Sequence, residues 1–78
     1  MSEMTDEELE AQIQKAMLQY IIMQFFSFSH LPPNLKIISR KFAVLACEMA
    51  TAPSNAETAA GLRKLLEAKD CFVRAALP

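Results

Sequence analysis

Apolar residues recur along this chain at helical spacing in three stretches, separated by two proline-marked breaks. The first stretch opens at Thr5-Asp-Glu-Glu8, a capping box in which the threonine hydroxyl takes the Glu8 amide and the glutamate reaches back. Leu9, Ile13, Ala16, Met17 and Tyr20 then share one face, and the pattern predicts a helix over residues 5–26. Its second half, Met17 to Phe26, is apolar nearly all round and is expected to be covered on every side. In so short a chain that cover must come from other copies.

The second stretch follows Pro32-Pro33, with Asn34 as the expected N-cap, and runs to about Ala50. Leu35, Ile38, Phe42, Leu45, Ala46 and Met49 form its predicted core stripe, with Lys36, Arg40, Lys41 and Glu48 off it. Thr51-Ala-Pro-Ser54 is the second break, and Ser54-Asn-Ala-Glu57 reads as another capping box. A third helix is expected to reach Leu77, burying Leu62, Leu65, Leu66, Phe72, Val73 and Ala76. Lys69 falls in that stripe, where its stem packs and its head reaches water. The short link between two long helices predicts an antiparallel hairpin over residues 34–77.

Between the first two helices, Phe25 to Leu35 gathers three aromatics, the single histidine and the proline pair. Each proline pushes its predecessor out of the helical region, so Leu31 and Pro32 should be extended. So much aromatic surface in a connection marks it as the candidate functional segment.

Composition bounds the fold. A chain of 78 residues is one domain, 1–78, of a size that buries only ~60% of its unfolded surface. With 53% hydrophobic residues, a single glycine and abundant Ala, Leu, Glu, Lys and Gln, it reads as all-α, and its excess of apolar surface predicts a homo-oligomer. The net charge of −1 hides a segregation: residues 1–10 carry Glu3, Asp6, Glu7, Glu8 and Glu10 and no base, whereas the remainder sets all 8 Lys and Arg against Glu48, Glu57, Glu67 and Asp70. That basic remainder suits a small anionic ligand and is too weak for a DNA or RNA polymer. Cys47 and Cys71 lack metal-ligand spacing and are expected to be reduced thiols in a cytoplasmic protein. With an acidic start no signal peptide is expected, and the apolar run Ala16 to Phe28, interrupted by Gln19 and Gln24, is short of a membrane span.

No nucleophile–base pair, paired carboxylates, glycine-rich phosphate loop or metal motif is found, so no catalytic residue, metal or cofactor is expected. Binding is better supported. Phe28 offers a ring on which a nucleobase can stack, worth ~1–3 kcal/mol. Arg40 and Lys41 suit phosphate, and His30 suits either a ligand or the loop itself.

Taken in order, Phe26-Ser-Phe-Ser-His-Leu-Pro-Pro33, Leu45-Ala46, Pro53-Ser-Asn-Ala-Glu-Thr58 and Leu62-Arg-Lys-Leu-Leu-Glu-Ala68 resemble the anti-CBASS/anti-Thoeris helical hairpin domain family of phage proteins. The resemblance covers residues 25–77 and implies a homohexamer that sequesters immune second messengers in the host cytoplasm. It implies cyclic dinucleotides held between protomers and cyclic trinucleotides at a separate site near a symmetry axis. By the same resemblance Phe28 stacks on a base beside His30, Arg40 or Lys41 meets phosphate, and Arg74 serves the trinucleotide site. The alternative expectation is a helical oligomeric scaffold that binds no nucleotide.

Overall fold

The computed structural model describes residues 4–78; Glu3, counted above in the acidic start, lies outside them. The described chain is all-helical, with α1 over Asp6–Ala16, a 3₁₀ segment over Ile21–Phe26, α2 over Pro33–Met49 and α3 over Ala56–Ala75. No helix among the described residues is long and apolar enough to cross a membrane.

The first capping box forms as expected. The Glu8 amide donates to Thr5 Oγ1 at 3.1 Å, and the Thr5 amide donates to Glu8 Oε1 at 2.9 Å. Leu9 and Ile13, one turn apart, are fully buried. The helix does not continue to residue 26, however. It ends at Ala16, turns through Met17–Gln19, passes an extended Tyr20 (φ −129°, ψ 100°) and restarts as the tighter 3₁₀ segment.

The break follows from where the aromatics must go. In a helix with three residues per turn, residues i and i+3 eclipse, so Met23 and Phe26 project to the same side. Both are fully buried, together with Phe28 just beyond. The greasy segment is therefore not covered all round: Leu18 is 90% exposed, Ile21 73% and Phe25 55%.

α2 begins without a side-chain cap. Pro32 (φ −58°, ψ 154°) takes the N-cap position instead of Asn34, and Pro33 stands where a missing amide costs nothing. The Pro32 carbonyl accepts from the amides of Leu35 at 3.0 Å and Lys36 at 2.8 Å. The buried side of α2 is Leu35, Ser39, Ala43, Ala46 and Cys47. Of the predicted stripe only Leu35 and Ala46 are fully inside; Ile38 and Phe42 are half-buried, and Leu45 and Met49 are exposed. The aromatic cluster fills the volume beside α2, so the helix turns its small residues toward the rings.

α3 starts one residue later than expected. Asn55, not Ser54, is its N-cap, its Oδ1 accepting the Thr58 amide at 3.0 Å. The helix ends at Ala75, short of Leu77, and buries Leu62 fully, with Leu65, Leu66, Val73 and Ala76 half-buried and Phe72 exposed. Lys69 packs its stem and sets Nζ 3.1 Å from Asp70 Oδ1, with 13% of its side chain exposed. α2 and α3 share the most extensive contact between elements, with Phe42 and Phe72 ring centroids 5.7 Å apart.

One buried hydroxyl and one exposed helical glycine leave room for improvement. The Ser39 hydroxyl is buried with no hydrogen-bond partner among the described residues, an arrangement that costs more than a methyl group would. Gly61 lies inside α3 with nothing within 4 Å of the position its Cβ would take. Ser39→Ala should leave stability equal or higher by about 1 kcal/mol, and Gly61→Ala should add ~0.5–1 kcal/mol. Urea denaturation of the two variants against the parent chain measures both.

Candidate anion-binding site

The chain's best-built polar feature lies between the acidic α1 and the segment that follows the 3₁₀ turn. Asp6 and Glu10 are four residues apart on α1 and so share a face, next to the face that carries Leu9 and Ile13 inward. Burying those two aliphatics docks the helix; the two carboxylates then meet two separate sets of donors.

Glu10 meets Ser27–Ser29. Its Oε2 accepts the backbone amides of Phe28 at 3.2 Å and Ser29 at 2.9 Å, and its carboxylate accepts the Ser27 hydroxyl at 2.9 and 3.1 Å. Successive amides aimed at one oxygen form an anion-binding concavity. Asp6 meets α2. Its Oδ2 lies 3.0 Å from Lys36 Nζ, and its Oδ1 accepts from Arg40 Nε at 2.9 Å. Arg40 Nη2 also donates to the Met4 carbonyl. Lys36 and Arg40 are themselves one turn apart, so two i, i+4 pairs face each other across the α1–α2 contact.

The electrostatics follow the partners. Hydrogen bonds from Lys36 and then Arg40 hold the Asp6 carboxyl below its ordinary value. Partial burial pulls Glu10 upward, but the donors on Ser29, Ser27 and Phe28 together outweigh it and leave the carboxyl below its ordinary value. Burial pushes the Cys47 thiol up, and the negative charges of Glu10 and Glu48 push it further. Both cysteines are free thiols, Cys47 buried and Cys71 exposed.

The residues singled out in the sequence are dispersed by the fold. Phe28 is fully buried, its ring part of the cluster that contains Leu9, Ile13, Met23 and Phe26, so it offers no face to a base while α1 is docked. Its backbone amide, not its ring, faces the anion. His30 is exposed in the turn after Ser29. Arg40 is engaged by Asp6 and Met4, whereas its neighbour Lys41 points away, exposed beside Ile38, Phe42 and Phe72. Arg74 is exposed near the end of α3, with Nη2 3.4 Å from Cys71 Sγ. Ser27, Ser29, Lys36, Asp6 and Glu10 are the site residues that the sequence reading misses; the matched spacing of Asp6/Glu10 and of Lys36/Arg40 is a signal for three of these five, and none marks the two serines.

Among the clefts of the described residues, two more lie elsewhere. One of about 440 Å³ runs between the ends of α1 and α2, lined by Gln12, Lys15, Gln19, Tyr20, Cys47 and Thr51. The other, about 460 Å³ and mostly apolar, lies between α2 and α3 against Leu45, Met49, Gly61, Leu62 and Leu65. Among the described residues no group of three His, Cys, Asp or Glu side chains is placed to hold a metal ion. Compared with protein-family models, curated proteins and solved structures, the chain gives no significant match.

Two outcomes are expected from this geometry. Replacing Phe28 by Ala empties a core position and should cost about 3–5 kcal/mol of stability, read by urea denaturation. A carboxylate held below its ordinary value contributes stability that is complete above the unfolded-state pKa and lost as pH falls through the folded-state value. Asp6 and Glu10, ordinarily at 3.8 and 4.5, should therefore hold α1 fully at neutral pH and release it as the solution passes below that range. Thermal unfolding at a series of pH values checks this, and Glu10→Gln should flatten the acid limb.

Proposed function

We propose that this chain is a non-catalytic binding protein that assembles as a homo-oligomer and sequesters cyclic di- or trinucleotides. The observation that carries the assembly is the outward face of the α2–α3 pair, where Phe72 is 58% exposed, Met49 47% and Leu45 41%, beside half-buried Ile38 and Phe42. A continuous apolar face of this kind on a small chain is an interaction surface.

The two helices are read as an antiparallel hairpin. Phe42, midway along α2, meets Phe72 near the end of α3, while Met49, the last residue of α2, shares a cleft with Thr58 and Gly61 near the start of α3. Ile38, Phe42, Leu45 and Met49 follow one another in the four-three-four steps of a heptad seam. Lys41 and Glu48 flank that seam on one edge, a heptad apart, and neither joins an ion pair among the described residues. A second copy laid antiparallel along α2 brings each Lys41 opposite the other's Glu48, twice by symmetry.

Two helices ~25–30 Å long and ~10 Å apart offer a face on the order of 500 Å², less than the ~800 Å² a partner of a stable complex usually buries. Leu18, Ile21 and Phe25 form a second exposed apolar set, which favours an assembly with more than one kind of contact. Six subunits and action in the infected host's cytoplasm rest on the family resemblance. The ligand class rests on it too, supported by Lys36 and Arg40, one turn apart on α2 and gathered on one carboxylate. Arg74 is kept for the trinucleotide site.

The scaffold reading has an observation of its own: the Phe28 ring is buried and Arg40 is already paired. Calorimetric titration with cyclic dinucleotides and trinucleotides separates the two, because a sponge retains ligand and releases it unchanged on denaturation and a scaffold takes up none. For the assembly, sedimentation should show Lys41→Glu or Glu48→Lys alone weakening self-association by about tenfold. The double charge exchange should restore it, and a parent chain that sediments as a monomer would end the oligomer reading.

A further inference from the structure

We propose that α1 is an internal stand-in for the ligand, its Asp6 and Glu10 carboxylates filling two anion-binding points that a molecule with two phosphate groups takes over when the helix swings away. The inference deepens the nucleotide reading above and rests on it.

The donor arrangement is the first ground. Glu10 alone receives a hydroxyl and two consecutive backbone amides from Ser27–Ser29, across 17 to 19 positions of sequence. Asp6 receives one ammonium and one guanidinium from Lys36 and Arg40, and Arg40 spends a further N–H on the Met4 carbonyl. Each point presents the donors that phosphate recognition uses, backbone amides at one and an arginine–lysine pair at the other. The two points are reached from Cβ atoms about one helical turn, ~5–6 Å, apart on α1.

The second ground is how lightly α1 is held. It has 11 residues, too few to be stable as an isolated helix. Only Leu9 and Ile13 anchor it fully in the core, and it joins the rest through the turn at Met17–Gln19, where Leu18 is 90% exposed. Its undocking removes two carboxylates from the donors and two aliphatics from the cluster that holds Phe28. The same movement thus frees the phosphate points and thins the cover over the ring that a base would stack on. Apparent affinity is then the intrinsic affinity reduced by the fraction of molecules in which α1 is away.

The test compares the full-length chain with Asp6→Asn/Glu10→Gln, titrated by calorimetry with cyclic diadenylate, cyclic diguanylate and cyclic triadenylate. Neutralising the stand-in should tighten binding of at least one of them by about tenfold or more, while Glu7→Gln, an exposed charge on the same helix, leaves it unchanged. Hydrogen exchange at the Phe28 and Ser29 amides should accelerate in the double variant without ligand. Equal affinity for parent and double variant would leave the nucleotide reading standing and overturn the role of α1. Binding by neither would overturn both. Should the double variant lose its helical circular dichroism, Glu10→Gln alone decides by the same criteria, with a smaller expected gain.

Discussion

The burial of Phe26 and Phe28 against the small-residue side of α2 is the constraint from which the rest of this structure follows. Two phenyl rings and Met23 have to be accommodated in one domain whose cover is three short helical elements. A straight helix through residue 26 would carry them past the α2 surface. The chain instead breaks after Ala16, and the tighter segment that follows sets Met23 and Phe26 inward together. Leu9 and Ile13 close the cluster from above, which is what brings the acidic face of α1 over Ser27–Ser29 and the start of α2. Ion pairs and amide contacts alone, half-exposed as they are, would not order this helix; they add direction to a docking that the aliphatics drive.

The same packing decides what is left outside. Ala43, Ala46 and Cys47 are turned toward the rings because little room remains there, and the bulkier residues of α2 are left facing outward with Phe72 of α3. The interior and the outer seam of α2 are therefore two separate apolar surfaces on one helix. One is complete within the chain, and the other is left exposed.

Much of this was legible in the sequence. All-helical character, the Thr5–Glu8 box, the proline break and the positions of α2 and α3 follow from local chemistry that acts within a few residues, and these agree within one or two positions. The first helix ends earlier than its pattern predicts because periodicity cannot tell a continuous apolar helix from a helix, a turn and a 3₁₀ segment with the same residues. The inward face of α2 departs from the predicted stripe for a related reason: hydrophobicity ranks Phe42 and Leu45 above Ala43 and Ser39, whereas the interior selects by volume. At the candidate site, Arg40 was identified by its charge, but its partner Asp6 lies 34 positions away and only the tertiary fold joins them. The Ser27–Ser29 contribution comes from backbone amides, which no side-chain pattern announces.

Tyr20 sits at the joint between α1 and the 3₁₀ segment, its hydroxyl buried without a partner among the described residues, in a chain that has no tryptophan and no other tyrosine. Excited beyond the phenylalanine band, the protein therefore emits from one phenol, so its intensity and lifetime report the local environment of that joint in unlabelled material.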